Sequence, residues 1–491
     1  MRSESHSHWL SSHVTLSGIS SILLVLCTSY IYFSFFGNNA NKIHKIGGFS
    51  IVNAWSFFNK RYDFLRSNFD KSGHNLFSFK ILRAIVAMSG DDARKMFFHE
   101  KGLSFAQGYR LLMGGTPRWK DISEDELIVA AVFNKYLLKI FVTPIVREET
   151  LIVVPTLFSD INKRMDAWGV EGKINPFKSI YDLVFQMTVH MASCHELAAD
   201  LGSIQKMKDL YWTLEKSATP ASLLFPWFPS TARRNSQQAT KDLYNMVSHH
   251  VDIRRKAAAL NLDAIDLLIA DGADNPTIFR FVLGVIFAGV INTGIISCWI
   301  LLYLGSDSVW KDKAIVEIRN LITTYTDTAS SQPISRRLST IPMSAWEDEM
   351  PVTESIIRET LRIVNNGTLL RRNLSDNVHV GDKAIDKGAF VAYNIGDVHL
   401  NEVFYPEPLT FDPSRFDANR QEGKQENPPF LGWGTGRHPC PGMKVAKLEI
   451  KIIVALVLSR YEYKLVDASG DPSKELPKPN RNDIHQVHPT L

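Results

Sequence analysis

The stretch Phe-Leu-Gly-Trp-Gly-Thr-Gly-Arg-His-Pro-Cys-Pro-Gly, residues 430–442, constrains this chain more than any other part of it. It sets a lone cysteine, Cys440, on a glycine-rich loop that opens a helix reading from Met443 to about Leu458. Gly434 and Gly436 let such a loop turn tightly against a flat ligand where a side chain would clash. Gly442 lets the following helix pack close to that ligand. The start of the helix, with its free backbone N–H groups and its dipole, favours negative charge on the Cys440 sulfur. A loop built in this way offers a thiolate to a metal. An isolated cysteine is more often a small buried hydrophobe, so the reading depends on what accompanies it.

The full pattern is aromatic-Gly-x-Gly-x-basic-x-Cys-x-Gly, filled by Trp433, Gly434, Gly436, His438, Cys440 and Gly442. It closely resembles the haem-binding signature of the cytochromes P-450. The resemblance implies that Cys440 is the axial ligand of the iron in haem b, that Trp433 packs beneath the ring and that His438 binds one propionate. A thiolate ligand pushes electron density into iron and favours cleavage of the O–O bond, the chemistry that inserts one oxygen atom into an unactivated C–H bond. Two residues depart from the family pattern. Trp433 stands where Phe is usual, and Pro439 precedes the cysteine where the family generally avoids proline. Pro441, in addition, cannot offer the backbone N–H that many relatives direct at the sulfur.

Upstream, Glu359-Thr360-Leu361-Arg362 lies in a helical stretch from Thr353 to Ile363, with Glu359 and Arg362 three apart on one face. Alone this is an ordinary surface ion pair worth little. Downstream, Phe404-Tyr405-Pro406-Glu407-Pro408 leads into Phe411-Asp412-Pro413-Ser414-Arg415-Phe416, which looks like the family's Pro-x-Arg-Phe meander. The resemblance implies that Glu359, Arg362 and Arg415 form a buried charge network with a structural role. Arg372, ten positions after Arg362, matches the site from which the family commonly reaches a haem propionate, a contact suited to guanidinium. A solvated β-edge arginine is the competing reading, and Arg371 is the competing residue.

Composition fits a large globular protein. Of 491 residues, 45% are hydrophobic and 22% charged, which excludes disorder by composition. Length alone would allow two or three domains, but no linker, low-complexity run or repeat divides the chain. This favours one catalytic domain from 41 to 491. The net charge of +4 is too small and too dispersed for nucleic acid. Cys27, Cys194, Cys298 and Cys440 show neither a C-x-x-C spacing nor the density of a disulfide scaffold, which points to a reducing compartment.

Residues 1–40 read as a membrane anchor. Val14 to Phe36 carries no charge and is long enough to cross a hydrocarbon core as a helix. A cleaved signal peptide would have a shorter apolar core and a small-residue cleavage site. Only Arg2 and the α-amino group precede the span, whereas Lys42, Lys45, Lys60 and Arg61 come after it, so the positive-inside bias places the catalytic domain in the cytosol. The family resemblance names the endoplasmic reticulum.

The remainder reads as mainly α with small β-sheets. Residues 120–142, 177–216, 238–259 and 308–324 carry apolar positions at helical spacing. Strand-like runs lie at Ile51–Val52, Leu369–Arg372, Val378–Val380 and Phe390–Ala392, with a turn at Val380-Gly381-Asp382. The proline-punctuated segment Leu223-Leu224-Phe225-Pro226-Trp227-Phe228-Pro229 reads as a loop. By its place in the family it lies over a substrate entrance at the membrane surface, and packing on the core is the plainer alternative. Phe281 to Tyr303 is apolar enough for a second span, but the resemblance makes it the central helix that crosses the haem, apolar all round because protein surrounds it.

In that helix Gly289 leaves room for dioxygen, Ile291 occupies the family's acidic slot, and Asn292 occupies the slot of the threonine that assists proton delivery. Thr293 is the competing proton-handling candidate, but one residue along a helix rotates a side chain by roughly 100°, which turns it away from the iron. Asn in this slot resembles the branch of sterol 7-hydroxylases and prostacyclin synthase, and fungal enzymes of secondary metabolism. The expected activity is therefore a membrane-anchored haem-thiolate monooxygenase acting on a lipophilic natural product such as a steroid or terpenoid. Its electrons come from NADPH-cytochrome reductase, with cytochrome b5 as a further candidate donor. The alternatives are a reductase-independent peroxide isomerase or dehydratase on the same fold, and a haem-binding sensor without catalysis.

Overall fold

The computed structural model describes residues 43–112 and 153–489, apart from 82–83, 226–227, 257–262, 423–428 and gaps of one to three residues. The anchor expected at 14–36, the helix expected at 120–142, and residues Cys27, Pro226 and Trp227 lie outside the described residues.

One helix organises the rest. Asn275–Ser306 is 32 residues long, about 48 Å at the usual rise. Asp274 caps its start by accepting from the Thr277 N–H at 2.8 Å. Asp307 ends it and caps the next helix, Ser308–Tyr325, by accepting from the Trp310 N–H at 3.0 Å. Helices Pro176–Ala192, Pro351–Val364 and Met443–Arg460 pack along it. By length and composition it could cross a membrane, but 67% of its apolar window is buried in the protein. Gly294 lies against the Tyr181 ring, which an added Cβ would meet at 3.0 Å. The Pro176–Ala192 helix therefore crosses at close range.

Two sheets complete the fold. Strands β1 (His44–Lys45), β2 (Leu76–Lys80), β3 (Ala84–Met88), β4 (Leu103–Ser104), β5 (Thr368–Asn373) and β8 (Phe390–Asn394) form one sheet in the order β1-β2-β3-β8-β5-β4. β5 and β8 are antiparallel with Leu370 opposite Ala392. β6 (His379–Val380) and β7 (Lys383–Ala384) form the second, turned by Gly381 at φ 58°.

Several expected elements differ. Ile51 and Val52 lie not on a strand but on the helix Ser50–Asn59, because Ala54, Phe57 and Phe58 bury one helical face. The helical pattern at 177–216 is three helices, Pro176–Ala192, His195–Ala199 and Leu201–Ser217. The first stops where the Ser193 hydroxyl bonds the Val189 carbonyl at 2.6 Å, and the last begins where the Asp200 carboxylate accepts from the Gly202 and Ser203 N–H groups. Leu223 and Leu224 belong to a short helix, Pro220–Leu224, which ends at Phe225. The pattern at 238–259 is a helix that starts earlier, at Thr231, and runs to Lys256.

Glu359, Arg362 and Arg415 meet in the interior. Arg362 holds both Glu359 oxygens at 2.8 Å, and Arg415 Nε reaches Oε1 at 3.2 Å. Arg362 Nη1 also donates to the carbonyls of His399 and Pro408 at 2.7 Å each, and the Asp412 N–H donates to Glu359. All three side chains are almost fully buried. Removing one strands an uncompensated buried charge at a cost of about 3–5 kcal/mol, a large fraction of a domain's stability. Alanine at 359, 362 or 415 should therefore leave little haem-containing protein by absorbance. Normally loaded variants with unchanged thermal stability would contradict this.

Candidate functional site

The cysteine loop is folded by its own backbone. The Cys440 N–H donates to the Trp433 carbonyl at 2.7 Å, and the Gly434 N–H donates to the Leu431 carbonyl at 3.0 Å. Gly434 and Gly436 have φ of 69° and 63°. A Cβ on Gly434 would come within 2.8 Å of the His438 oxygen, and one on Gly436 within 2.4 Å of the Phe98 oxygen. Both positions therefore require glycine for conformation and for space. At Gly442 a Cβ would meet no protein atom within 4 Å, so its need for glycine does not come from the chain. Cys440 is a free, exposed cysteine at the open edge of this loop. Desolvation by the surrounding loop raises its thiol above the ordinary range, and the Gly442 backbone N–H works in the opposite direction.

Behind the loop lies a cationic cluster. Arg371 is buried, with its guanidinium over the rings of Phe105 and Phe97 at 4.5 and 5.1 Å. Its hydrogen bond is a 3.4 Å contact to the adjacent Leu370 carbonyl. Among the described residues it has no carboxylate partner, and burial lowers its pKa to about 10. His438 stacks on Phe105 at 5.6 Å. Burial lowers the His438 pKa, helped by the positive charges of Arg371 and Arg437. Arg372, by contrast, donates to Gln107 Oε1 at 2.9 Å. Successive residues of β5 face opposite ways, and the parity puts Arg371 rather than Arg372 beside His438.

On the central helix, Asn292 is exposed and its Nδ2 donates to the Ala288 carbonyl at 2.7 Å. Ala288, one helical turn earlier, is not buried either. Thr293 is buried on another side of the helix. Gly289 takes the approach of Thr188, whose Cγ2 an added Cβ would meet at 3.0 Å. The small residue on the open face is thus Ala288, and Gly289 serves helix packing.

His399 was not singled out by the sequence. Its Nε2 accepts from the Leu431 N–H at 2.9 Å and its Nδ1 faces the Asn365 carbonyl at 3.3 Å, so Nδ1 carries the proton. Burial, with Arg362 nearby, lowers its pKa to about 3 and keeps the ring neutral. Because its own carbonyl accepts from Arg362, His399 ties the cysteine loop to the buried charge network. A lone histidine at the end of a four-residue helix, Gly396–His399, carries no spacing signal.

These residues suit a planar, dianionic metallo-macrocycle. Cys440 supplies a sulfur ligand, Arg371 and Arg437 supply positive charge beside the His438 ring, and the buried Trp433 Nε1 has no hydrogen-bond partner among the described residues. Known proteins point the same way. A family model described as cytochrome P-450 matches residues 73–485. The chain is 30% identical to cytochrome P-450 monooxygenase nsrP of Aspergillus novofumigatus, across 80% of this chain and 77% of that protein. It is 27% identical to cytochrome P-450 monooxygenase AacuE of Aspergillus aculeatus, across 90% and 89%. The solved structure of retinoic acid bound cyanobacterial CYP120A1 matches with a TM-score of 0.69 at 18% identity, covering 88% of this chain and 94% of that one, which shows the fold.

An uncompensated buried cation costs free energy until an anion meets it. Arg371→Met should therefore raise the stability of the haem-free protein while speeding haem loss to a haem-free acceptor. Arg372→Met should change haem loss little. The reverse ranking would return the propionate role to Arg372.

Proposed function

This chain belongs to the cytochrome P-450 family, and from that premise we propose that it is a membrane-anchored monooxygenase that oxidises a lipophilic natural product with electrons from NADPH-cytochrome reductase. The observation that carries this reading is the exposed cysteine on a closed glycine loop, and the exposed face of the central helix at Asn292 supports it. When bound, haem b would supply dioxygen activation and oxygen insertion. The chain's own residues do the rest. Cys440 would hold the iron, Arg371, Arg437 and His438 would hold the propionates, and Trp433 would pack against the ring. Asn292, already anchored to the Ala288 carbonyl through Nδ2, keeps its amide oxygen free to fix a water that carries protons. Ile291 cannot take part. Thr293, facing away, does not compete.

An apolar surface supports the membrane reading. Phe49, Ile51, Val52 and Trp55 are exposed on and beside the helix Ser50–Asn59. That helix packs on Pro220–Leu224, which leads into the exposed Phe225 and Phe228. Exposed large apolar side chains gathered on two packed elements mark a surface that meets lipid or another apolar partner. This face joins the substrate entrance to the bilayer, on the side where the chain leaves its anchor.

Three experiments test the proposal. The reduced protein should give the carbon monoxide absorption band of a thiolate-ligated haem, Cys440→Ala should abolish it, and product should require both NADPH and reductase. Product formed without NADPH or reductase would favour a peroxide isomerase. A strain lacking the protein should accumulate its substrate. Removal of residues 1–40 should spare haem loading and weaken membrane retention, leaving residual attachment that Phe225→Ser with Trp55→Ser abolishes. Release of the intact protein by salt alone would contradict the anchor.

A further inference from the structure

The apolar face that carries Phe49, Trp55, Phe225 and Phe228 is also one-signed in charge. Residues 43–62 and 216–241 supply it, and they hold seven lysines and arginines without one aspartate or glutamate. The chain as a whole is nearly balanced, with 55 basic side chains against 51 acidic ones. The acids that close these two stretches, Asp63 and Asp242, accept from Asn482 and Gln238.

Five of the basic side chains, Lys45, Lys60, Lys216, Arg234 and Lys241, are exposed, and none of the five enters an ion pair among the described residues. Lys45 lies on β1, four residues before Phe49, and Lys60 caps the end of the helix Ser50–Asn59. Lys216 lies in the last turn of the helix Leu201–Ser217, and Arg234 in the first turn of Thr231–Lys256. Those two helices pack together, so the two charges stand at either end of the segment that bears Phe225 and Phe228. Lys241 follows two turns beyond Arg234 on the same side of its helix.

We propose, on the membrane reading above, that this face seats on a leaflet of anionic phospholipid, with its lysines and arginines meeting the charged headgroups while Trp55, Phe225 and Phe228 enter the apolar layer. Apolar side chains favour any bilayer alike, whereas a rim of one sign selects a charged one. Each basic side chain held within a Debye length of such a surface strengthens attachment roughly fivefold.

The occupant is a leaflet because of where the chain comes from. Seven peptide steps lead from Phe36, the end of the expected span, to Ile43, and an extended chain of that length reaches at most about 25 Å. Phe49 and Trp55 are thereby kept close to the bilayer that holds the anchor. The cytosolic leaflet, on which the positive-inside bias puts this domain, is the anionic one.

The test follows amide hydrogen exchange of the haem-loaded full chain in nanodiscs of phosphatidylcholine, alone or mixed with phosphatidylserine. Residues 49–59 and 220–225 should exchange several-fold more slowly in the mixed lipid, and ~1 M salt, which shortens the Debye length to about 3 Å, should remove the difference. The combined variant Lys45→Gln, Lys60→Gln, Lys216→Gln and Arg234→Gln should lose it too, while keeping the parent's carbon monoxide band and thermal midpoint. Should that variant fold poorly, the lipid and salt contrasts of the parent decide alone. Equal protection in the two lipids would overturn the anionic class and leave the apolar membrane contact standing. No protection in either lipid, relative to detergent, would overturn both. Protection in detergent that grows with protein concentration would assign the face to a second copy of this chain and overturn the proposal.

Discussion

The double hydrogen bond between Arg362 and Glu359 is the contact on which the rest of the structure depends. It is nearly inaccessible to water, and the remaining Arg362 donors serve carbonyls of segments distant in sequence, at His399 and Pro408. Buried ion pairs in general add little stability and much specificity of arrangement. Here the arrangement reaches the cysteine loop through His399, whose neutral ring receives the Leu431 N–H. A charge pair on one helix, a meander carrying Arg415 and a thiol-bearing loop are thereby held in one frame. None of these segments has regular secondary-structure pairing with the others to do that work.

Much of this was legible in the sequence, and the physical reasons it was legible differ from residue to residue. The cysteine loop announces itself because Gly434 and Gly436 are demanded by backbone conformation and by sub-3 Å approaches, which no other residue satisfies. The central helix announces itself by being apolar all round. Strand parity was not legible. Arg371 and Arg372 are adjacent and chemically identical, and only the pairing of β5 with β8 decides which faces His438. Helix breaks were hidden at Ser193 and Asp200, where side chains bond nearby backbone within an otherwise periodic pattern. Ile51 and Val52 read as strand from their β-branching, yet Phe57 and Phe58 set a helical face. His399 was missed because a single polar residue acquires its meaning from partners far away in the chain.

The site divides its electrostatics cleanly. The cations Arg371 and Arg437 gather beside His438, and the exposed face of the central helix at Asn292 offers an uncharged amide. An acid in the slot of Ile291 would bring negative charge to that face. Its absence leaves a neutral amide and a water to manage protons there.

The apolar character of the central helix also bears on how the chain is made. Residues 275–306 form a segment long and apolar enough to cross a membrane, and 67% of its apolar window is covered by its neighbours in the protein. Those neighbours are not synthesised together. The Pro176–Ala192 helix already exists when the segment emerges, but the Met443–Arg460 helix is complete only about 150 residues later, roughly 8–30 s at ordinary elongation rates. Through that interval one flank of the segment has no native cover. Burial of the central helix is thus a matter of timing, decided by how quickly the half-core already made can seize so apolar a segment.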